Sequence, residues 1–379
     1  LDLLAQLGGA VMAARGYGAP EAEEIGRRVL ELCDRLDPSP TVVVALLGLG
    51  SALSVGGRYG EAEAIWAMTR SINEEVQDPA AEVEIDWQVG FTRTFMGDLA
   101  AGHECLQRAR QRYEPVAHAW LSSFGGAPGP LALATDGVNR VASGYLDEGV
   151  RLADRGIAMA RELGHPLTTC FTVALGGAVL RLFRGDWQAA ADFADEVDEI
   201  ATREHLPFFQ VAAKLYRGQA IGYLGDPARA VEVIEEGLDA WEAMGTVAYR
   251  GFWLVALAEF ERAEGHGDRA LAIVDDGLSE VRASGGNLTE PLLLCRRASL
   301  LAPRDRAAAI AGFEEAIGTA RTMGAHLYEL RAATEFARFH LDLGDASAAR
   351  AALEPIASWF TEGLDTTFPL EATAVLDRL

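Results

Sequence analysis

The sequence predicts an all-α protein, a right-handed α-solenoid of helix hairpins with a period of about 40 residues. Three observations carry that reading. A glycine, a turn residue and an Ala-rich amphipathic run recur together, at Gly16-Tyr17-Gly18-Ala19-Pro20, Gly57-Arg58, Gly97-Asp98, Gly144-Tyr145, Gly185-Asp186, Gly225-Asp226, Gly267-Asp268 and Gly344-Asp345. Successive steps are 41, 40, 47, 41, 40 and 42 residues, and a last step of 77 spans a degenerate copy at Pro303-Arg304-Asp305. Strand signals are nearly missing, because β-branched residues fall inside helical patterns rather than alternating. The whole of 1–379 then reads as one array, since repeats grow by stacking on their neighbours.

From the start, Leu1, Leu4, Leu7 and Val11 give a helical apolar stripe. The run Thr41–Val55 is uncharged over 15 residues, too short for the roughly 20 that span a bilayer, so it reads as a buried helix carrying Val42, Leu46, Leu49 and Leu53. Its partner over 61–76 offers Ala62, Ile65, Trp66, Thr69 and Ile72. The 47-residue step holds an irregular Gly/Pro-containing loop near 114–137, and insertions in arrays map to loops, often on the binding face.

One later repeat shows the logic in full. Pro207 opens a helix that Gly225 stops, because glycine accepts the left-handed geometry of a helix end. Asp226 suits the next N-cap and Pro227 its first turn. Val231, Ile234, Leu238 and Trp241 then share one face, and Gly245 closes the unit. So short a connection forces an antiparallel hairpin. A further second helix over 269–283 carries Ala270, Val274, Leu278 and Val281. Small residues after the turns (Ala62, Ala100, Ala189, Ala228, Ala270, Ala348) are expected where two backbones meet closely. Leu370, Ala374 and Leu379 end the chain on an apolar pattern. Terminal repeats normally carry polar capping faces, so both ends read as cut from a longer protein.

Composition excludes several functions. A formal net charge of -23 opposes nucleic acid and anionic membrane surfaces as partners. Cysteines at 33, 105, 170 and 295 have no paired spacing, which fits buried thiols in a reducing cytoplasm. No signal peptide is visible. Chemistry is equally hard to find. Lys214 is the only lysine among 33 basic residues, and it has no Gly-rich lead-in of a phosphate loop. Gly48-Leu49-Gly50 lies in a helical pattern with no preceding strand. His103-Glu104 begins a zinc-protease-like string, yet Gln107 stands where the second His belongs. His118, His165 and His205 share no ligand spacing; His165 and His205 are expected at equivalent helix ends, bonding terminal carbonyls. Acid pairs such as Glu235-Glu236 and Asp275-Asp276 read as solvated faces. No cofactor, metal or catalytic residue is assigned.

The candidate binding residues lie on first helices of later repeats, which usually line the concave side: Gln210, Lys214, Tyr216 and Arg217, then Tyr249, Arg250 and Trp253, then Arg296 and Arg297. Basic and aromatic residues there suit an acidic peptide, a carboxylate or another domain. The competing reading pairs the cations with Glu and Asp of adjacent repeats and places the aromatics in the core.

Several stretches resemble a known family: Arg161-Glu-Leu-Gly-His-Pro-Leu167, Gly185-Asp-Trp-Gln-Ala-Ala190, Leu206-Pro-Phe-Phe209, Tyr216-Arg-Gly-Gln-Ala220, Gly237-Leu-Asp-Ala-Trp-Glu-Ala-Met-Gly245 and Glu290-Pro-Leu-Leu-Leu-Cys-Arg-Arg297, with Leu3–Ala10, Gly16–Glu21, Glu31–Cys33 and Phe124–Gly129. They are similar to the C-terminal tetratricopeptide-like region of bacterial STAND-type signalling ATPases, which accompany an adenylate/guanylate cyclase or a helix-turn-helix regulator. The resemblance implies a non-catalytic sensing and protein-interaction arm that restrains an upstream ATPase, cyclase or transcription-factor domain. The array also resembles the sensor of the maltose-regulon activator, which implies the alternative of a sugar or peptide inducer receptor. A stand-alone enzyme is the remote third reading. Partners are therefore expected to be a protein domain, a peptide or a small-molecule inducer.

Overall fold

The computed structural model describes residues 20–33, 35–115, 126–246 and 249–379, with residues 1, 3, 4, 7, 8 and 11 near the start. The expected first turn at 16–19, His118 and the 116–125 part of the expected loop lie outside the described residues. All regular structure among the described residues is helical.

The order is α1 Pro20–Cys33, α2 Pro40–Val55, α3 Tyr59–Val76, α4 Pro79–Met96, α5 Leu99–Arg112, α6 Pro128–Ala142, α7 Leu146–Leu163 and α8 Pro166–Arg184. There follow α9 Trp187–Arg203, α10 Pro207–Tyr223, α11 Pro227–Ala243, α12 Arg250–Ala263, α13 Gly267–Ser284, α14 Glu290–Leu301, α15 Arg306–Met323, α16 His326–Asp342, α17 Ala346–Ala357 and α18 Thr367–Leu376. From α2 onward, even-numbered and odd-numbered helices pair as hairpins that stack into an α-solenoid. The expected loop is shorter than its sequence suggested: α6 already begins at Pro128, where proline suits a first turn.

Seven hairpin tips share one geometry. A left-handed glycine ends the first helix, and the next residue donates its N–H to a carbonyl five positions back, as in Asp98 to Arg93 (3.0 Å), Asp186 to Arg181 (2.9 Å) and Asp345 to His340 (2.9 Å). This is the Schellman closure. Gly57, Gly97, Gly144, Gly185, Gly225 and Gly344 occupy the left-handed position as expected, but the sixth tip uses Gly265 (φ 86), and Gly267 is already the first residue of α13. With that correction the step from Gly225 is 40 residues. The degenerate copy has no left-handed glycine; Asp305 instead caps α15 by accepting the Ala308 N–H at 3.0 Å.

The small-residue expectation also shifts. Ala62 and Ala270 are buried where hairpin backbones meet, but at the other tips the buried position is Gly102, Ala190, Ala230 and Ala349, one or two residues further on. Gly149 and Ala309 complete the set. Second helices end on another left-handed series, Gln77, Gly164, His205, Gly245, Gly285 and Gly324. His165 and His205 are thus not equivalent. His205 takes the left-handed place that Gly164 fills, whereas His165 caps α8 by accepting the Thr168 N–H through Nδ1 (3.3 Å).

α8 accommodates one extra residue as a π-helical turn over Val173–Val179, matching the 41-residue step that contains it. It is the one helix among the described residues long and apolar enough to cross a membrane, and most of it is buried inside the solenoid. All four cysteines are buried.

The coil winds tightly enough to touch itself. Aromatic rings from first helices meet across its bore: Phe95 of α4 with Tyr249 (centroids 4.8 Å), Phe183 of α8 with Phe252 of α12 (4.6 Å), and Phe183 with Tyr328 of α16 (6.1 Å). Outside this bore runs a seam. Glu362 accepts the Asp147 and Glu148 N–H groups at the start of α7 (3.1 and 3.0 Å), Asp147 accepts the Gly363 N–H (3.0 Å), and Thr367 donates to the Gly185 carbonyl (2.9 Å). Met323, Trp359 and Thr367 press so closely on Gly97, Gly144 and Gly185 that a Cβ there would lie 3.0 Å or less from them, whereas Gly225, Gly265 and Gly344 face open space.

Packing decides the sign of glycine substitutions. A Cβ at Gly50 in α2 would lie 2.3 Å from the Trp66 ring, which is buried and donates from Nε1 to Thr92 at 3.1 Å. Gly50→Ala should destabilise by about 1–3 kcal/mol. Gly318→Ala, in α15 with nothing within 4 Å, should stabilise by up to about 1 kcal/mol. Opposite shifts of the urea midpoint test the pair.

Candidate functional site

The bore is not filled throughout. Towards its C-terminal end the first helices α10, α12, α14, α16 and α18 enclose a chamber of about 300 Å³ together with Trp187 at the start of α9. Each contributes a polar side chain from its inner face, and these join into a ladder. The Tyr223 hydroxyl donates to Glu259 Oε2 (3.0 Å), and Arg296 Nη2 meets the same oxygen at 2.6 Å. Further along, Arg338 pairs with Glu335 and with Glu371 of α18 (Nη2 to Oε2, 3.0 Å). Arg331 lies over the Phe368 ring at 4.3 Å and has no ion pair among the described residues. The aromatic wall is completed by Trp187 stacked on Tyr223 (centroids 4.0 Å, 14° between planes).

The electrostatics follow from this geometry. Burial works to raise the Glu259 pKa, but Arg296, Arg331 and the Tyr223 hydroxyl outweigh it and hold the carboxyl below its ordinary 4.5. The Cys295 thiol, buried beside them, is pushed up to about 12, mainly by desolvation. It is therefore a neutral packing group rather than a nucleophile.

The nine sequence-derived candidates are dispersed. Arg296 enters the chamber. Tyr216 and Trp253 are buried in the core, where Trp253 packs on Trp241 (centroids 4.9 Å). Tyr249 sits at φ 69 before α12, against Phe95. Arg217 reaches back to Asp195 (2.7 Å) and Arg297 to Asp275 (2.6 Å), the same helix-to-helix bridge two repeats apart. Lys214 pairs with Glu236, Gln210 donates to Thr202 (3.0 Å), and half-buried Arg250 lies between Glu280 (3.3 Å) and Glu242 (3.6 Å). Sequence reasoning missed Glu259, Arg331, Glu335, Arg338, Glu371, Trp187, Tyr223 and Phe368. The available signal was a charge inside an apolar helix face: Glu259 follows the run Phe252–Ala258.

His103, the start of the zinc-like string, is instead bonded through Nδ1 to buried Asp136 (2.7 Å), which also meets Arg110 (3.1 Å). No group of three or more His, Cys, Asp or Glu residues suited to a metal ion occurs among the described residues.

The fold is tetratricopeptide-like. No protein-family model matches this chain, and no curated protein matches it. Among solved structures, the chain is similar to a Rap protein complexed with Competence and Sporulation Factor, with TM-score 0.66, 10% identity and 98% of each chain covered. It is also similar to the Rap conjugation gene regulator of the plasmid pLS20 in complex with the Phr* peptide (TM-score 0.55, 11% identity, 100% of this chain and 96% of that one). A third is the apo form of the quorum sensor NprR from B. thuringiensis (TM-score 0.50, 12% identity, 95% and 99%). At these identities the likeness is one of fold.

Another buried acid stands apart from the ladder. Glu84 of α4 accepts a hydrogen bond from Gln88 Nε2 (2.9 Å), and its other oxygen has no partner among the described residues. Burial raises its pKa from 4.5 to about 7. The folded state therefore holds this proton more tightly than the unfolded chain, so the favourable contribution is complete below pH 4.5 and lost as pH rises through 7. Glu84→Gln should be more stable than the parent at pH 8, by about 3 kcal/mol if the whole shift is realised, and similar to it at pH 4. Denaturant titrations at the two pH values check this.

Proposed function

We propose that this chain is a non-catalytic sensing scaffold that captures a peptide or protein segment in its inner chamber and so regulates a signalling domain of its parent protein. The carrying observation is the chamber itself: five successive inner helices and one outer helix converge on about 300 Å³ lined by three guanidiniums, three carboxylates and an aromatic wall. A mostly preformed cleft with a few convergent polar groups is the usual form of a binding site. The fold supports the reading, since two similar structures are a Rap protein solved with Competence and Sporulation Factor and a conjugation gene regulator solved with the Phr* peptide. The sequence resemblance supplies the regulated domain: a STAND-type ATPase, with a cyclase or transcriptional regulator, in the cytoplasm. The net charge of -23 argues against nucleic acid and anionic membrane as partners.

A small-molecule inducer is the second reading. The chamber volume favours it, because about 300 Å³ is at the lower end of small-ligand pockets.

Thr334 provides a plug. It is buried on α16, lines the chamber, and donates only to the Leu330 carbonyl of its own helix (2.7 Å). Thr334→Trp should fill the space while circular dichroism still shows full helicity. Peptides selected against the parent from a displayed random library should bind this variant at least about tenfold more weakly. Equal binding to both proteins would rule out the chamber as the capture site.

A further inference from the structure

The chamber is electrically neutral in sum but divided along its length. At one end two guanidiniums, Arg296 and Arg331, flank the single carboxylate of Glu259. At the other end two carboxylates, Glu335 and Glu371, share the single guanidinium of Arg338. Arg331 and Glu335 lie four residues apart on one helix, so the cationic and anionic positions are separated by about 6 Å along it. Phe368 covers one face of the Arg331 guanidinium, and stacking leaves the in-plane N–H fork available for a carboxylate.

The geometry points to a dipolar ligand: a free peptide of about two residues, its C-terminal carboxylate on Arg331 and its N-terminal ammonium between Glu335 and Glu371. This assignment rests on the inner-chamber reading above and adds the ligand class. Two extended residues span about 7 Å, which matches the distance between the two positions. A carboxylate at Arg331 gives that end a second anion for its two cations. An ammonium at the far end gives that end a second cation for its two anions. The Trp187, Tyr223 and Phe368 wall accepts apolar side chains between them. A plain anion satisfies only one end and a plain cation only the other, so the arrangement discriminates against singly charged competitors.

The test is calorimetric titration of the parent with three pools of synthetic dipeptides: unblocked, N-acetylated and C-amidated. The unblocked pool should bind at least about tenfold more tightly than either blocked pool. Arg331→Met, which keeps the apolar stem, should erase the preference for the free carboxylate but not that for the free ammonium. Glu371→Gln should do the reverse. These opposite losses separate recognition from general damage, and circular dichroism confirms that both variants fold. Equal binding of all pools, or binding of none, would overturn the dipolar class. Equal binding that Thr334→Trp still abolishes would overturn it while leaving the chamber as the capture site. Equal binding indifferent to Thr334→Trp would overturn both.

Discussion

Every hairpin depends on the near-contact of two helix backbones just beyond its tip. Ala62, Gly102, Gly149, Ala190, Ala230, Ala270, Ala309 and Ala349 hold that position and are buried. The tolerance is tight: a Cβ on Gly149 would lie 2.6 Å from the Gly137 carbonyl across the hairpin, and one on Gly102 would lie 2.8 Å from Thr94 Oγ1. A larger residue would push the helices apart and tilt each unit against the next. Because the same offset recurs at each tip, the first helices are carried repeatedly to the inside. The bore, the chamber and the ladder are all consequences of that regular placement.

The fold was legible because its determinants are local. Glycines that end helices, aspartates that cap the next and alanines on one face act within a few residues of themselves. The misplaced details have the same origin. Gly265 and Gly267 both follow a helical run, and only the hydrogen bond from His266 to the Glu261 carbonyl (2.9 Å) decides between them. The candidate site was read less well, because its members are brought together by superhelical winding. Arg296 was found as a cation on a first helix. Its neighbour Arg297 has the same local signature, yet it points to Asp275 on the outside. One residue of helical rotation, about 100°, separates the chamber from the surface, and no composition rule reports that angle. Trp253 and Tyr216 were drawn in for the same reason, since aromatics on an inner helix serve core and groove alike.

The interior polar groups are arranged to limit the cost of burying charge. An isolated ion in this bore would be heavily penalised. Glu259 avoids this with an arginine on one side and a phenolic donor on the other, both reaching a single oxygen. Aromatic contacts cross the bore at Phe95–Tyr249 and Phe183–Phe252, and the chamber walls come from helices already fixed by the hairpin stack. Glu84 shows the contrasting case, where an acid with only an amide partner is held closer to its neutral form.

The seam changes what kind of polymer this array is. Ordinary solenoids are chains of neighbour contacts, so folding can begin anywhere and spread, and units can be deleted from an end with modest effect. Here the start of α7 is capped by a carboxylate 215 residues later, and the Gly185 tip meets Thr367. Such contacts raise the contact order and add a loop-closure cost that local hairpins do not carry. During synthesis the Gly144 and Gly185 tips must wait, unpartnered, until Trp359 and Thr367 leave the ribosome. The segment from Trp359 to Thr367 thus acts as a clasp across the coil.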